Sequence, residues 1–432
     1  MLNNPRSHGL WEKSAPNAPV TSALQGDLTV DVVIVGAGFT GLSTALNLSE
    51  RGSKVAVLEG VEIGYGASGR NVGLVNAGMW IMPDNLPGVL GQKYGDRLLE
   101  ELGNGPQMVF ERIERHNISC EATRTGTLHC AVGQKGLREL KERAEQWQRR
   151  GAPVTLLSAE ETAKKTGTRI YAGSLLDMRA GTIQPLAYVR GLAHATLAAG
   201  GQIFTNSTVI GTERQGKDWV VKTAQGSVRA QWIVVATNAY TKAPWPQIRT
   251  EMMHLPYFNL ATKPLTKEQQ SQILPERQGV WDTKTVLSSY RYDQFGRLVF
   301  GSVGALRNTG TGIHTAWAKR ELERVFPQLG KVEFDYEWYG FIGMTNDSLP
   351  KLHCFDNNVI GFSGYNGRGI ATGTVFGNIM ARYINGDINK ADLPLPVTEP
   401  EALSCLSLRE AYYETGAQIA HLIGARSLVL KK

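Results

Sequence analysis

Three glycines and an acid stand at a spacing that does chemistry through the backbone. In DVVIVGAGFTGLSTALNLSERGSKVAVLEG, residues 31–60, Gly36, Gly38 and Gly41 follow the β-branched run 32–35, and Glu59 closes the next apolar run. The first glycine permits a tight turn, the second lets the backbone approach a pyrophosphate, and the third lets a helix pack closely on the strand. A helix over residues 40–51 then turns its N-terminal amides and the positive end of its dipole toward phosphate oxygens. Glu59 stands where a carboxylate binds a ribose 2′-hydroxyl and would repel a 2′-phosphate. Strand, glycines, helix, strand and acid in this order specify a dinucleotide site, with NAD and FAD both open.

The residues beyond Glu59 separate the two. A plain NAD domain continues with further βα units, whereas residues 63–79 read IGYGASGRNVGLVNAGM, too rich in glycine and small side chains for a packed helix. Such a segment lets a long cofactor lie against the backbone, and Ser68, Arg70 and Asn71 can donate hydrogen bonds to it. Residues 358–386, NVIGFSGYNGRGIATGTVFGNIMARYING, read as strand, glycine-rich loop and helix. Helix amides beside Arg368 stabilise negative charge on a reduced flavin. Glycine-mediated helix packing is the other reading of Gly364, Gly367, Gly369, Gly373 and Gly377.

These segments need a frame. Helical periodicity over 93–116, 135–150 and 186–199, and a capping-box signature at Ser158 and Glu161, alternate with strand-like stretches at 125–132 and 202–205. Segments 207–212, 219–223 and 227–230 suggest an antiparallel meander feeding an apolar strand over 232–241. From 253 to 339 longer alternating strands, among them 285–292 and 297–303, are interrupted by a helix over 315–326. That pattern predicts a mostly antiparallel sheet roofing a pocket.

Composition excludes several classes. The chain of 432 residues carries a formal charge of +7, but its basic residues are scattered and interleaved with acids, which argues against nucleic-acid binding. Cys120, Cys130, Cys354 and Cys405 show no paired spacing, so neither a zinc site nor a disulfide framework is indicated. His353 and Cys354 lack partner ligands, and no metal site is expected. No apolar run approaches about 18 residues, and a cytoplasmic protein without a transmembrane segment is expected.

With these segments placed, the chain resembles the D-amino-acid oxidase/sarcosine oxidase family of FAD-dependent amine oxidases over nearly its whole length. GAGFTGLSTALNLSERG with VLEG resembles the ADP-binding half, GASGRNVGL the loop beside the flavin, and EWYGFIGMTNDSLP with GYNGRGIATG the C-terminal flavin-ring segments. The bacterial γ-glutamylputrescine oxidases and L-pipecolate oxidases are most similar in character, and HGLWEKSAP resembles the start of that subgroup. The resemblance implies an α/β, two-domain fold. A Rossmann-like FAD-binding domain would take residues 1–88, 152–238 and 337–432, and a mostly antiparallel substrate domain residues 89–151 and 239–336. It puts Gly36, Gly38, Gly41 and Glu59 on the ADP portion and Val209 near the adenine. Ser68, Gly69, Arg70, Asn71 and Gly73 would lie along the pyrophosphate and flavin, and Gly367, Gly369 and Ile370 at the pyrimidine edge. Some relatives attach FAD through a cysteine near the position of Ile342 or Gly343, or a histidine near Arg70. This chain has neither there, so non-covalent FAD is expected.

The resemblance also implies C–N oxidation of an amine or amino acid to an imine, with oxygen or a quinone as electron acceptor. Relatives reading GYSGHG carry a histidine where this chain has Arg368, and a charged, bidentate donor suits a substrate carboxylate. Arg368 is thus the expected carboxylate anchor, with Tyr290 orienting substrate, Arg307 a candidate for oxygen reduction, and His254 and Tyr365 lining the pocket. L-pipecolate is the named substrate and γ-glutamylputrescine the alternative. A non-catalytic flavin-binding subunit and an NAD-linked hydroxyacid dehydrogenase are the readings from other classes.

Overall fold

The β-branched run becomes the buried strand Val32–Val35 near the middle of a seven-stranded sheet in the computed structural model, which describes residues 8–424. Across the sheet the order is Val397–Thr398, Lys351–Asp356, Val359–Ser363, Trp232–Val235, Val32–Val35, Val55–Leu58 and Gln202–Phe204. Only Lys351–Asp356 and Val359–Ser363 pair antiparallel. Central parallel strands are covered on both faces, which is why they run continuously apolar. The helix Phe39–Glu50 is buried up to its last residue and lies against the helix Gly369–Ile384. A Cβ at Gly377 would come 2.5 Å from Ser43 Cβ, and one at Gly373 would come 2.9 Å from Thr40 Oγ1. Those two glycines let the helices touch.

An eight-stranded sheet stands opposite, in the order Phe334–Met344, Met253–Pro264, Arg297–Val303, Ser288–Tyr292, Gly279–Asp282, Thr127–Cys130, Ser174–Asp177 and Val154–Leu157. It is antiparallel except where Gly279–Asp282 and Thr127–Cys130 run parallel. Period-2 alternation splits its side chains between two faces. Phe258, Leu260, Val280, Tyr290 and Phe300 form the back core with Trp317 and Leu322 of the helix Thr309–Val325. Asn259 and Trp338 face the opposite way, onto the loop at Arg70.

Several elements differ from the sequence reading. The helix expected over 93–116 is two helices, Gln92–Gly103 and Gly105–Arg115, because Pro106 is tolerated only in a first turn. The helix expected over 315–326 begins at Thr309, and the helix Leu406–Ile423 has no counterpart in the sequence reading. The meander forms as Gly211–Gln215, Asp218–Lys222 and Gly226–Ala230, with Gly26–Thr29 added parallel at its edge. The Ser158–Glu161 capping box is present, starting the helix Ala159–Thr166. Pairings run across the expected domain division. Val154–Leu157 and Ser174–Asp177, from the segment assigned to the nucleotide domain, join the eight-stranded sheet, and Phe334–Met344 crosses the 336/337 boundary. Among the described residues no helix is long and apolar enough to cross a membrane.

Candidate active site

The nucleotide cradle starts at Gly36, whose φ of 106° is left-handed and whose Cβ would come 2.9 Å from Ala236 O. At Gly41 a Cβ would lie 1.9 Å from Gly36 O, and at Gly38 one would lie 2.9 Å from Ser68 Oγ. Turn and helix can approach only because all three lack side chains. The N-cap residue Gly38 has no side chain to cap the helix Phe39–Glu50, and the amides that follow Phe39 N suit a phosphate. Glu59 Oε2 accepts from Ala37 N at 2.8 Å and Oε1 from Val61 N at 3.0 Å. Burial raises its carboxyl above the ordinary value, and these amides oppose the rise. Ser68 Oγ accepts from Phe39 N at 3.0 Å, leaving its own proton to donate. Segment 205–210 runs beside Glu59, with Ser207 N donating to Glu59 O at 2.8 Å. Val209 is buried there against the same core as Leu58.

The loop after Glu59 is held from the eight-stranded sheet. Asn259 Nδ2 and Trp338 Nε1 both donate to Arg70 O at 3.0 Å. Arg70 Nε donates to Tyr65 O at 2.9 Å, while its buried Nη2 has no partner among the described residues. Asn71 departs from expectation. Its Nδ2 donates to Ala67 O and Ser68 O, and its Oδ1 accepts from Gly73 N, so it braces the loop and has no donor left for a cofactor. Packing also explains Gly69 and Gly73, where a Cβ would meet Gly64 O at 2.4 Å and Ile183 O at 2.1 Å.

Residues Gly367, Gly369 and Ile370 lie at the start of the helix Gly369–Ile384, which has no side-chain cap. Gly367 has φ 83°, and the nearest atom to its Cβ position, Ile342 Cδ1, is 3.5 Å away. Arg368 donates from Nη1 to Ala77 O at 2.8 Å. Its guanidinium lies 4.9 Å from the ring centroid of Trp80 and 5.0 Å from that of Trp281. Burial, then Arg143, pushes it down to about 9, still charged at neutral pH.

Directly opposed residues form one row across the front face of the eight-stranded sheet: His129, Trp281, Ser289, Gly301, Asn259 and Trp338. At Gly301 a Cβ would come 2.7 Å from the Tyr257 ring. The bare backbone there makes room for that ring, and Tyr257 OH lies 2.7 Å from Ser289 Oγ. Tyr257 is therefore a phenol on the loop-facing side, missed in the sequence although strand alternation places it with Asn259.

Three expected substrate residues, and Arg307, the candidate for oxygen reduction, make other contacts. Tyr290 is fully buried in the back core, its OH 3.5 Å from Tyr171 OH, because it alternates with the front-facing Ser289. Tyr365 OH lies 2.6 Å from Thr40 Oγ1, between the two nucleotide-side helices. His254 packs on Phe341 beneath the helix Leu406–Ile423, its amide donating to Glu410 at 2.7 Å. Arg307 is paired through Nε and Nη2 with Glu414 of that helix, about half exposed.

Two helix starts whose N-cap residues offer no side-chain cap, a half-buried acid after the second strand and an unpartnered Arg70 Nη2 fit FAD, and together with the fold they define a flavin-dependent oxidoreductase. The family model for DAO, FAD dependent oxidoreductase, matches residues 31–383. Gamma-glutamylputrescine oxidoreductase of Escherichia coli K12 is 33% identical over 384 residues, 85% of this chain and 87% of that protein. Probable oxidoreductase OrdL of Haemophilus influenzae is 32% identical over 363 residues, 83% of each. The crystal structure of glycine oxidase from Geobacillus kaustophilus superposes with a TM-score of 0.70 at 19% identity, covering 86% of this chain and 99% of that one. The chain belongs to the DAO family of FAD dependent oxidoreductases.

Proposed function

We propose that the enzyme oxidises the C–N bond of an amine bearing a carboxylate to the imine, with L-pipecolate as the named substrate. The observation that carries this reading is Arg368, a charged guanidinium inside the site that among the described residues donates to a carbonyl, Ala77 O, and not to an acid. A half-buried cation with no acid bonded to it is costly, and a substrate carboxylate offsets that cost. Arg70, Ser68 and the two helix starts hold the cofactor, and Tyr257 orients the substrate. When bound, FAD supplies the acceptor for the two electrons and the hydrogen that leave the substrate carbon. The nitrogen gives up a proton to become the imine.

A second reading, γ-glutamylputrescine as substrate, is favoured by the 33% identity to a relative of that name. The FAD-loaded protein, mixed anaerobically with each compound, separates the two. Bleaching by L-pipecolate, lost in Arg368→Ala, supports the first. Bleaching by γ-glutamylputrescine alone, unchanged in that variant, replaces it with the second. A flavin that no amine or amino acid bleaches indicates a non-catalytic subunit, and a peroxide assay on the active pair identifies oxygen or another acceptor.

A further inference from the structure

One end of the front row is a corner with its own chemistry. Trp281 and His129 oppose each other across the parallel strand pair, their rings stacked at 3.4 Å with an interplanar angle of 13°. They are 7% and 5% exposed, and neither Trp281 Nε1 nor His129 Nδ1 has a hydrogen-bond partner among the described residues. Arg368 packs on the same indole. Arg143, from the helix Gly133–Gln148, closes the corner by donating to Met79 O at 3.2 Å and Trp80 O at 2.7 Å.

Acids do not balance these charges. Asp177 is held through both oxygens by Arg179. Glu139 approaches Arg143 at 3.9 Å from a partly exposed position. Burial, with Arg143 and Arg368 adding, holds the His129 imidazole neutral, well below its ordinary value. Two cations bonded to carbonyls and not to acids thus stand beside two ring nitrogens that have no partner among the described residues. A carboxylate supplies both the missing charge and the missing lone pairs.

Resting on the reading of the substrate as an acid-bearing amine, we propose that His129, Trp281 and Arg368 form its carboxylate pocket, with Trp281 Nε1–H and the guanidinium as donors and His129 backing the indole. The corner commits the enzyme to organic acids and disfavours simple alkylamines.

The FAD-loaded full chain titrated with butyrate, an acid with no amine to oxidise, tests this through flavin absorbance and indole fluorescence. Butyrate is expected to bind and butylamine is not. Trp281→Phe keeps the ring and removes the N–H, so butyrate should weaken about tenfold or more, and His129→Leu should weaken it too. A wild-type protein indifferent to butyrate overturns the pocket, as do the two variants if they retain both folding and wild-type butyrate affinity. Should Trp281→Phe fail to fold, His129→Leu and competition of butyrate against substrate decide alone. The two proposals fail separately. A flavin that no amine bleaches removes the substrate reading but leaves the titration interpretable, whereas normal bleaching with unaltered butyrate affinity in the variants removes only the pocket.

Discussion

Tyr257, half-buried, and Tyr290, fully buried, are phenols on the same sheet, yet they point in opposite directions. Tyr257 meets Ser289 on the face turned to the Arg70 loop, and Tyr290 sits among Phe300 and Phe326 on the other. Tyr257→Phe is therefore expected to slow anaerobic flavin reduction by about tenfold, the scale of one hydrogen bond to a charged group. Tyr290→Phe should leave that rate within about twofold and lower stability by about 1 kcal/mol, read by thermal melting. Gly41→Ala drives a methyl to within 1.9 Å of Gly36 O, so it should cost a few kcal/mol and most of the bound FAD, measured as flavin absorbance after gel filtration. The role of Gly41 was legible because spacing alone dictates the turn. The choice between the tyrosines was not, because a strand's register to its neighbours decides which parity faces the cofactor. In Ser288–Tyr292 the two tyrosines share one parity and Ser289 and Arg291 the other, yet both parities are buried.

At the scale of elements, the helix Leu406–Ile423 is pinned by histidines. His421 stacks on Trp317 at 3.6 Å, and its Nδ1 lies 2.7 Å from His314 Nδ1. Burial lowers His314 from 6.5 to about 4 and His421 to about 3, with Glu414 opposing the shift at His314 and Glu321 at His421. Because the unfolded chain binds protons that the folded chain refuses, this contribution is complete above about pH 6.5 and is lost as pH falls toward 4. Hydrogen exchange should show this helix opening first in that window. His421→Phe should reduce the slope of stability against pH by up to about 1.4 kcal/mol per unit. Elements with strong local signals, such as the Ser158 capping box and the helix Gly369–Ile384, were readable directly. The Leu406–Ile423 helix exposes Leu408, Tyr412 and Ile423 while burying His421, so its apolar periodicity does not report its packed face. The parallel pairing of Thr127–Cys130 with Gly279–Asp282 joins segments too distant for any local pattern to encode.

At the scale of the whole molecule, distant parts of the chain would enclose FAD, and no covalent bond to it is expected. The resemblance puts the linkage points of some relatives near Ile342, Gly343 and Arg70, none of them a cysteine or histidine, and all four cysteines are free, two buried in cores and two exposed. Acid precipitation should therefore leave a colourless pellet and a yellow supernatant, and a pellet that stays yellow counts against the assignment. The two-sheet plan could be inferred in outline, since glycine turns and alternating strands mark different stretches of the sequence. Strand exchange across the boundary could not, because the partners of Val154–Leu157 and Phe334–Met344 are chosen by tertiary pairing.

The seven-stranded sheet takes its first strand from Val32–Val35 and receives Val359–Ser363 and the helix behind it only near the end of the chain. A polypeptide leaving the ribosome thus displays the opening glycine turn long before the element that must face it has been translated. The finished protein, not the growing one, is therefore expected to capture the vitamin-derived cofactor, and truncation late in the gene should forfeit it as damage to the first turn would.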